Sequence, residues 1–318
     1  KYIMKNIYSN IIKFNSKNLI KIIKILKKNG IICLPTETVY GLGGNAYSNI
    51  AIKKIFEVKK RLKKNPLIIH YYNLSHAKKD VFLDQKFYKI YEKFSPGPIT
   101  YIVKKKNNSR IKSLACANLK TVGIRFPKNK IIRKLLKKLN FPLAMPSANK
   151  SSGVSPVKPS DVFEEFNNKI KVLDGGISKI GIESTVLNLV GNICILRPGI
   201  ITPKQIEEVL KINIKISSKQ TTIKSPGSLK KHYSPGIPMY LNKKKCPKNF
   251  AFITFGKQYP VTRNSFNLSR KSNLNESARN LYKFFRNIKK KGYKKIYVAK
   301  IPNKGVGIAI NDRLRRAS

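Results

Sequence analysis

Apolar residues recur at helical spacing over residues 17–29, where Leu19, Ile20, Ile22, Ile23, Ile25 and Leu26 share a face and Gly30 marks the stop. The next run, residues 31–34, is short and β-branched and reads as a strand. The alternation continues, with helices predicted over 50–61, 85–94, 130–139 and 203–209. Strands are predicted over 66–71, 100–104, 122–125, 143–145, 172–173, 184–189 and 193–196. Interleaved elements of both kinds point to a mixed α/β sheet. Residues 210–237 break the pattern, because they are polar and basic and contain Ser225-Pro226-Gly227 and Ser234-Pro235-Gly236. After this linker come strands at 250–255 and 295–299 around a helix at 276–290, then a charged helical turn at 311–316. The predicted organisation is a larger domain over 1–209, a linker over 210–237 and a smaller α/β domain over 238–318.

The most informative stretch is Leu34-Pro35-Thr36-Glu37-Thr38-Val39-Tyr40-Gly41-Leu42-Gly43-Gly44-Asn45. An apolar strand ends in a proline, two hydroxyls around a carboxylate, and three glycines within four residues. Glycines let a backbone approach a ligand where a Cβ would clash, and strand ends with small polar groups are where open α/β sheets place their sites. Taken alone, the stretch also reads as a strand, a tight turn and a helix start.

Other polar clusters sit at further strand and helix ends. Lys59 and Arg61 close the second predicted helix, with Lys63 and Asn65-Pro66-Leu67 beyond. Positions i and i+2 converge only if the helix stops and the chain turns; otherwise these are solvated surface charges. A lysine with an arginine suits a polyphosphate. Arg125, inside the apolar strand Thr121-Val122-Gly123-Ile124-Arg125, is costly to bury without a carboxylate, either of the protein or of a ligand. Met145-Pro146-Ser147-Ala148-Asn149 with Ser155, Gly181-Ile182-Glu183-Ser184-Thr185, and Leu196-Arg197-Pro198-Gly199 add hydroxyl, amide and guanidinium groups. There is no Gly-x-x-x-x-Gly-Lys-Ser/Thr loop, no Gly-x-Gly-x-x-Gly fingerprint and no Gly-x-Ser-x-Gly elbow. The site is therefore expected to position and neutralise charge rather than form a covalent intermediate.

Composition adjusts this picture modestly. The formal net charge of +53 suggests nucleic acid, but lysine, isoleucine and asparagine dominate throughout, as codon bias in an AT-rich genome would produce. Either way an anionic ligand is attracted. Cys33, Cys116, Cys194 and Cys246 form no Cys-x-x-Cys pair and read as free thiols, and the three histidines, His70, His76 and His232, make a metal centre improbable. No apolar run approaches the roughly 18–20 residues that span a bilayer, and the N-terminal stretch lacks a signal-peptide layout. A cytoplasmic protein with no membrane partner is the expectation.

The ordered set Pro-Thr-Glu-Thr-Val-Tyr-Gly-Leu, Lys-x-Arg with Asn-Pro-Leu, Pro-Gly-Pro-Ile-Thr, Val-Gly-Ile-Arg-Phe-Pro, Pro-Ser-Ala-Asn, Glu-Ser-Thr-Val and Leu-Arg-Pro-Gly resembles the YrdC-like threonylcarbamoyl-AMP synthases over residues 17–210. The tail, with His232-Tyr233-Ser234-Pro235 and Asn311-Asp312-Arg313-Leu314-Arg315-Arg316, looks like the longer two-domain form. The chain departs from the family at Leu62, usually proline, and at Ser95, often aromatic.

The resemblance implies a twisted open mixed sheet plus a small Rossmann-like domain. It also implies a nucleotidyltransferase making L-threonylcarbamoyladenylate and pyrophosphate from L-threonine, bicarbonate or CO2 and ATP, for tRNA modification. Thr36, His70, Arg125, the Met145 main chain and Ser184 would hold threonine. Lys59, Lys63, Thr121, Ser147, Asn149, Ser155, Arg197, Lys230 and His232 would line the ATP site, with Arg61 adjacent. Arg125, Lys59 and Arg61 would act electrostatically. Mg²⁺ would accompany ATP without a protein-held metal, and tRNA or tRNA-modification proteins would be further partners. The stretch around Lys230–Tyr233 would fold over the cavity as a lid. The alternative is a non-catalytic basic RNA-binding protein. A carbamoyl transferase of hydrogenase maturation shares this domain type but needs zinc-binding cysteine pairs that the chain lacks.

Overall fold

The computed structural model describes residues 10–217 and 232–318. The larger sheet contains β1 (Ile11–Ile12), β2 (Ile32–Leu34), β3 (Gly41–Asn45), β4 (Ile68–His70), β5 (Ile99–Lys104), β6 (Thr121–Arg125), β7 (Leu143–Ala144), β8 (Val172–Leu173), β9 (Thr185–Asn188), β10 (Cys194–Arg197) and β11 (Lys215–Ile216). Their spatial order is β1-β8-β2-β3-β7-β4-β6-β5-β9-β10-β11, with parallel and antiparallel pairs mixed. The helices of this unit are α1 (Ser16–Lys27), α2 (Asn49–Lys59), α3 (Leu74–Ala77), α4 (Gln85–Phe94), α5 (Lys130–Lys138), α6 (Pro159–Glu165) and α7 (Pro203–Leu210). The smaller sheet is all parallel: β12 (Met239–Tyr240), β13 (Ala251–Thr254), β14 (Ser265–Asn267) and β15 (Ile296–Val298), in the order β12-β15-β13-β14. It carries α8 (Leu274–Lys290) and α9 (Gly307–Ala317). The expected α/β architecture with a large mixed sheet and a smaller second one is present.

Local chemistry explains the boundaries. Asn15 caps α1 by accepting from the Asn18 N–H at 2.8 Å, and Leu19, Ile22 and Leu26 form its buried stripe. Ser48 caps α2 in the same way, and Asp84 caps α4.

Two expectations need correction. The glycine-rich segment is not a turn leading into a helix. It is β3, which returns antiparallel along β2 with Leu34 opposite Gly41 and Ile32 opposite Gly43. Its glycines make room for protein: a Cβ at Gly41 would lie 2.5 Å from Met145 Cγ, and one at Gly43 2.9 Å from Leu34 Cδ1. Second, β11 pairs in parallel with β10, so the larger sheet continues past residue 209 into the segment read as linker. The expected turn at Ser225-Pro226-Gly227 lies outside the described residues.

The two units share a core. Val39, Val154, Val157 and Ile182 of the larger unit pack in one buried cluster with Ile253, Tyr282, Phe285 and Ile310 of the smaller one. Polar contacts reinforce this face, where Arg286 Nη2 donates to the Val154 carbonyl at 2.5 Å and to Glu165 Oε2 at 3.2 Å. No helix among the described residues is long and apolar enough to cross a membrane.

Candidate active site

A cavity enclosing about 520 Å³ of unfilled space, its open mouth included, is lined by the last residues of β4, β6 and β10 and by the segments that follow β2 and β7. Its walls include Thr36, His70, Arg125, Met145 and Ser147, together with Arg61, Glu183, Arg197, His232 and Tyr233.

The turn after β2 is held by one hydroxyl. Thr36 Oγ1 accepts from the N–H groups of Thr38 and Val39 at 3.1 and 3.2 Å and donates to the Val39 carbonyl at 2.6 Å. This places Glu37 beside Arg125. Glu37 Oε1 accepts from Arg125 Nη2 at 2.6 Å, while Oε2 accepts from the Lys128 and Asn129 N–H groups at 3.0 and 3.1 Å. Arg125 is 4 % exposed, and its Nε is buried without a partner. Its companion is a protein carboxylate, as one reading of the sequence had it, yet part of the guanidinium stays uncommitted. His70 faces Arg125 in the parallel register of β4 and β6. Burial and the neighbouring Arg125 charge hold the His70 ring well below its usual pKa, so it is neutral at pH 7.

The second cationic group forms where α2 stops. Lys60 adopts a left-handed conformation (φ 49°), which turns the chain immediately after Lys59. Arg61 is then fixed by the Asn65 and Pro66 carbonyls at 3.0 and 2.8 Å and by Asn65 Oδ1 at 2.6 Å. Burial and the charge of Arg197 lower Arg61 to about 9. Arg197 itself donates from Nε to the Ser184 carbonyl at 3.1 Å and from Nη2 to Ser184 Oγ at 3.2 Å. His232 is pushed down to about 3 by burial, against the pull of Glu183 and with the help of Arg61, Lys59 and Arg197; its Nδ1 is buried without a partner.

Several expected contact residues stand elsewhere. Lys59 does not reach the wall: its Nζ donates to the Ser147 carbonyl at 2.6 Å and to the Asn149 carbonyl, and burial followed by Arg61 lowers it to about 7. Asn149 donates to the Lys150 and Gly153 carbonyls at 2.6 and 2.9 Å. Ser155 Oγ donates to Glu183 Oε1 at 2.5 Å, and Ser184 Oγ lies 2.8 Å from Thr100 Oγ1. These four groups shape the wall from behind. Lys63 is exposed on the loop after α2, and Thr121 starts β6, four positions before Arg125. Lys230 lies outside the described residues.

Sequence reasoning missed Glu37 and Glu183 as site residues. Glu37 lies between two threonines and Glu183 precedes Ser184-Thr185, in a chain with only 14 acidic side chains, and that scarcity was a usable signal. Among the described residues no three His, Cys, Asp or Glu side chains converge as metal ligands; Glu183 at the wall is engaged by Arg313, and Glu37, set back from it, by Arg125.

Residues 24–199 match the Sua5/YciO/YrdC family model, described as telomere recombination, and residues 201–318 match the model of the threonylcarbamoyl-AMP synthase C-terminal domain. The chain is 34 % identical to the threonylcarbamoyl-AMP synthase of Pyrococcus abyssi over 92 % of either chain. It is 31 % identical to that of Bacillus subtilis, over 96 % of this chain and 94 % of the relative. The crystal structure of Pyrococcus abyssi Sua5 complexed with L-threonine superposes with a TM-score of 0.89 at 30 % identity, covering 97 % of each chain.

Proposed function

The chain belongs to the Sua5/YciO/YrdC family and carries the synthase C-terminal domain, and on that premise we propose that it is a nucleotidyltransferase forming L-threonylcarbamoyladenylate. L-Threonine, bicarbonate and MgATP enter; the adenylate, pyrophosphate and water leave. The product serves threonylcarbamoyladenosine modification of tRNA.

The observation that carries this reading is the gathering of two cationic groups in the lining of one cavity. Arg125 lines it from the end of β6, and Arg61 and Arg197, whose charges act on one another, line it as well. A carboxylate-bearing amino acid and a polyphosphate each find a partner there. The threonine carboxylate would sit on the uncommitted edge of Arg125, with Thr36, the neutral His70 and the Met145 main chain around its hydroxyl and amine. The amine captures CO2 as a carbamate, and a carbamate oxygen attacks the α-phosphorus as pyrophosphate leaves. Both reactants are anionic, so the rate depends on holding them together against repulsion. Arg61 and Arg197 would neutralise phosphate charge, and Ser147 would hydrogen-bond at the same wall. Lys59 contributes by fixing the Ser147 and Asn149 carbonyls. Mg²⁺ would travel on the triphosphate oxygens and water rather than on the protein.

The test is pyrophosphate release by the full-length protein with ATP, Mg²⁺ and bicarbonate, with and without L-threonine. Threonine-dependent release that is lost in Arg125→Ala is the expected result. No release with any amino acid, together with tight and salt-sensitive RNA binding, overturns it in favour of an RNA-binding protein.

A further inference from the structure

Glu183 lies at the cavity wall, 4 % exposed, and accepts from three donors. One is Ser155 Oγ of the larger unit, at 2.5 Å. The other two come from the smaller domain: Tyr282 Oη on α8, at 3.1 and 3.0 Å from the two carboxylate oxygens, and Arg313 Nε on α9, at 2.9 Å. Arg313 is fully buried and stands 130 positions along the chain from its partner. Its Nη1 donates to Asp312 at 2.7 Å, and its guanidinium lies 4.9 Å from the ring centre of Tyr233, a cavity residue.

A buried carboxylate holds its place only while its donors do. The residue after Glu183 is Ser184, whose carbonyl and hydroxyl both accept from Arg197. A path of direct contacts therefore runs from Arg313 to Glu183, along one peptide to Ser184, and on to the guanidinium at the wall.

We propose that Arg313 and Tyr282 are positioning residues for the cavity: the smaller domain fixes Glu183 and, through Ser184, aims Arg197 and backs Tyr233. The larger unit alone leaves this wall without two of its three carboxylate donors. The inference rests on the nucleotide reading of that wall and assigns the C-terminal domain a part in binding ATP.

The experiment compares full-length Arg313→Ala, Tyr282→Phe, Glu183→Gln and Arg313→Ala/Glu183→Gln in two assays, ATP affinity at equilibrium and threonine-dependent pyrophosphate release. Arg286→Ala is the control, because it loses bonds across the same face at Val154 and Glu165, away from the cavity. Arg313→Ala is expected to weaken ATP binding and raise the KM for ATP at least tenfold, and Tyr282→Phe at least threefold, with kcat changing less. The double variant is expected to be no worse than Arg313→Ala. Arg286→Ala is expected to lower the melting temperature while ATP affinity stays within twofold. Tyr282→Phe is nearly isosteric and carries the test if Arg313→Ala does not fold. ATP affinity within twofold of wild type in both Arg313→Ala and Tyr282→Phe overturns the inference. So does strict additivity of Arg313→Ala with Glu183→Gln. If the wild type binds ATP but releases no pyrophosphate, the proposed function fails, and the binding assay still decides the inference.

Discussion

Arg125 Nη2 sits 2.6 Å from Glu37 Oε1, and the same guanidinium buries an Nε that has no partner. Glu37 is in turn locked by two main-chain N–H groups. The pair orients an arginine without exhausting it, which suits a clamp for an incoming carboxylate. Hydrogen bonds to charged groups contribute about 1.5–3 kcal/mol each, or about ten- to 150-fold in a rate ratio. Arg125→Ala is thus expected to lose at least tenfold in kcat/KM for threonine. Glu37→Gln keeps a shape that can accept one bond and is expected to raise the threonine KM several-fold with a smaller change in kcat. Pyrophosphate release titrated against threonine checks both, and an unchanged threonine KM in both variants would remove the clamp from the mechanism.

Lys59 was expected on the nucleotide and instead holds two carbonyls of the Ser147–Asn149 loop. Lys59→Met keeps the buried stem and deletes the donor. Leaving buried carbonyls unpaired costs about 1–3 kcal/mol. The variant is expected to unfold at lower urea and to raise the KM for ATP through the displaced Ser147. A stability loss with an unchanged ATP KM would confine Lys59 to folding.

The same contrast shows what the chain made legible. The helix Gln85–Phe94 was readable because its cap, Asp84, and its buried residues, Phe87 and Ile90, lie within a few positions of one another. Gly41–Asn45 was not, since glycine is a poor strand former and pairing here depends on space beside Leu34 and Met145. Two-residue strands such as Ile11–Ile12 and Lys215–Ile216 carry no period to detect. Motif order marked Thr36, His70, Arg125 and Arg197 for the site, and these four do line one cavity. It could not show that the donors of Lys59 and Asn149 are consumed by main-chain carbonyls. Nor could it show that Arg313 folds back under Glu183.

Gly181 packs directly against the backbone of α8 in the smaller unit. Its φ is +86°, and a Cβ there would lie 2.5 Å from Arg279 Cα and 2.8 Å from the Ala278 carbonyl oxygen on α8. Neither is a flexible side-chain end. Backbone strain of about 1–3 kcal/mol and overpacking of similar size both oppose a methyl group. Gly181→Ala is expected to destabilise the protein by about 2–5 kcal/mol in urea unfolding and to speed proteolysis at the domain junction. Gly176 also has a positive φ, +70°, but nothing lies within 4 Å of its Cβ position, so Gly176→Ala should show the strain alone and a smaller loss. Equal losses at the two positions would mean that the contact with α8 does not hold the units together.

Glu183 gives the fold a specific acid sensitivity. Burial alone would raise its pKa, but the Arg313 and Arg197 charges and the bonds from Ser155 and Arg313 bring it down to about 2, against an ordinary 4.5. The folded state therefore binds this proton less readily than the unfolded chain does. The stabilisation is fully present above about pH 4.5 and is lost as pH falls toward 2, and it amounts to on the order of 3 kcal/mol. Glu183→Gln lacks this titration and leaves Arg313 facing a neutral amide. Urea unfolding at pH 7, 5 and 3 is expected to show a large stability gap between wild type and variant at pH 7 and 5, shrinking at pH 3. A gap that stays constant across the three would mean that Glu183 is not held ionised by the smaller domain.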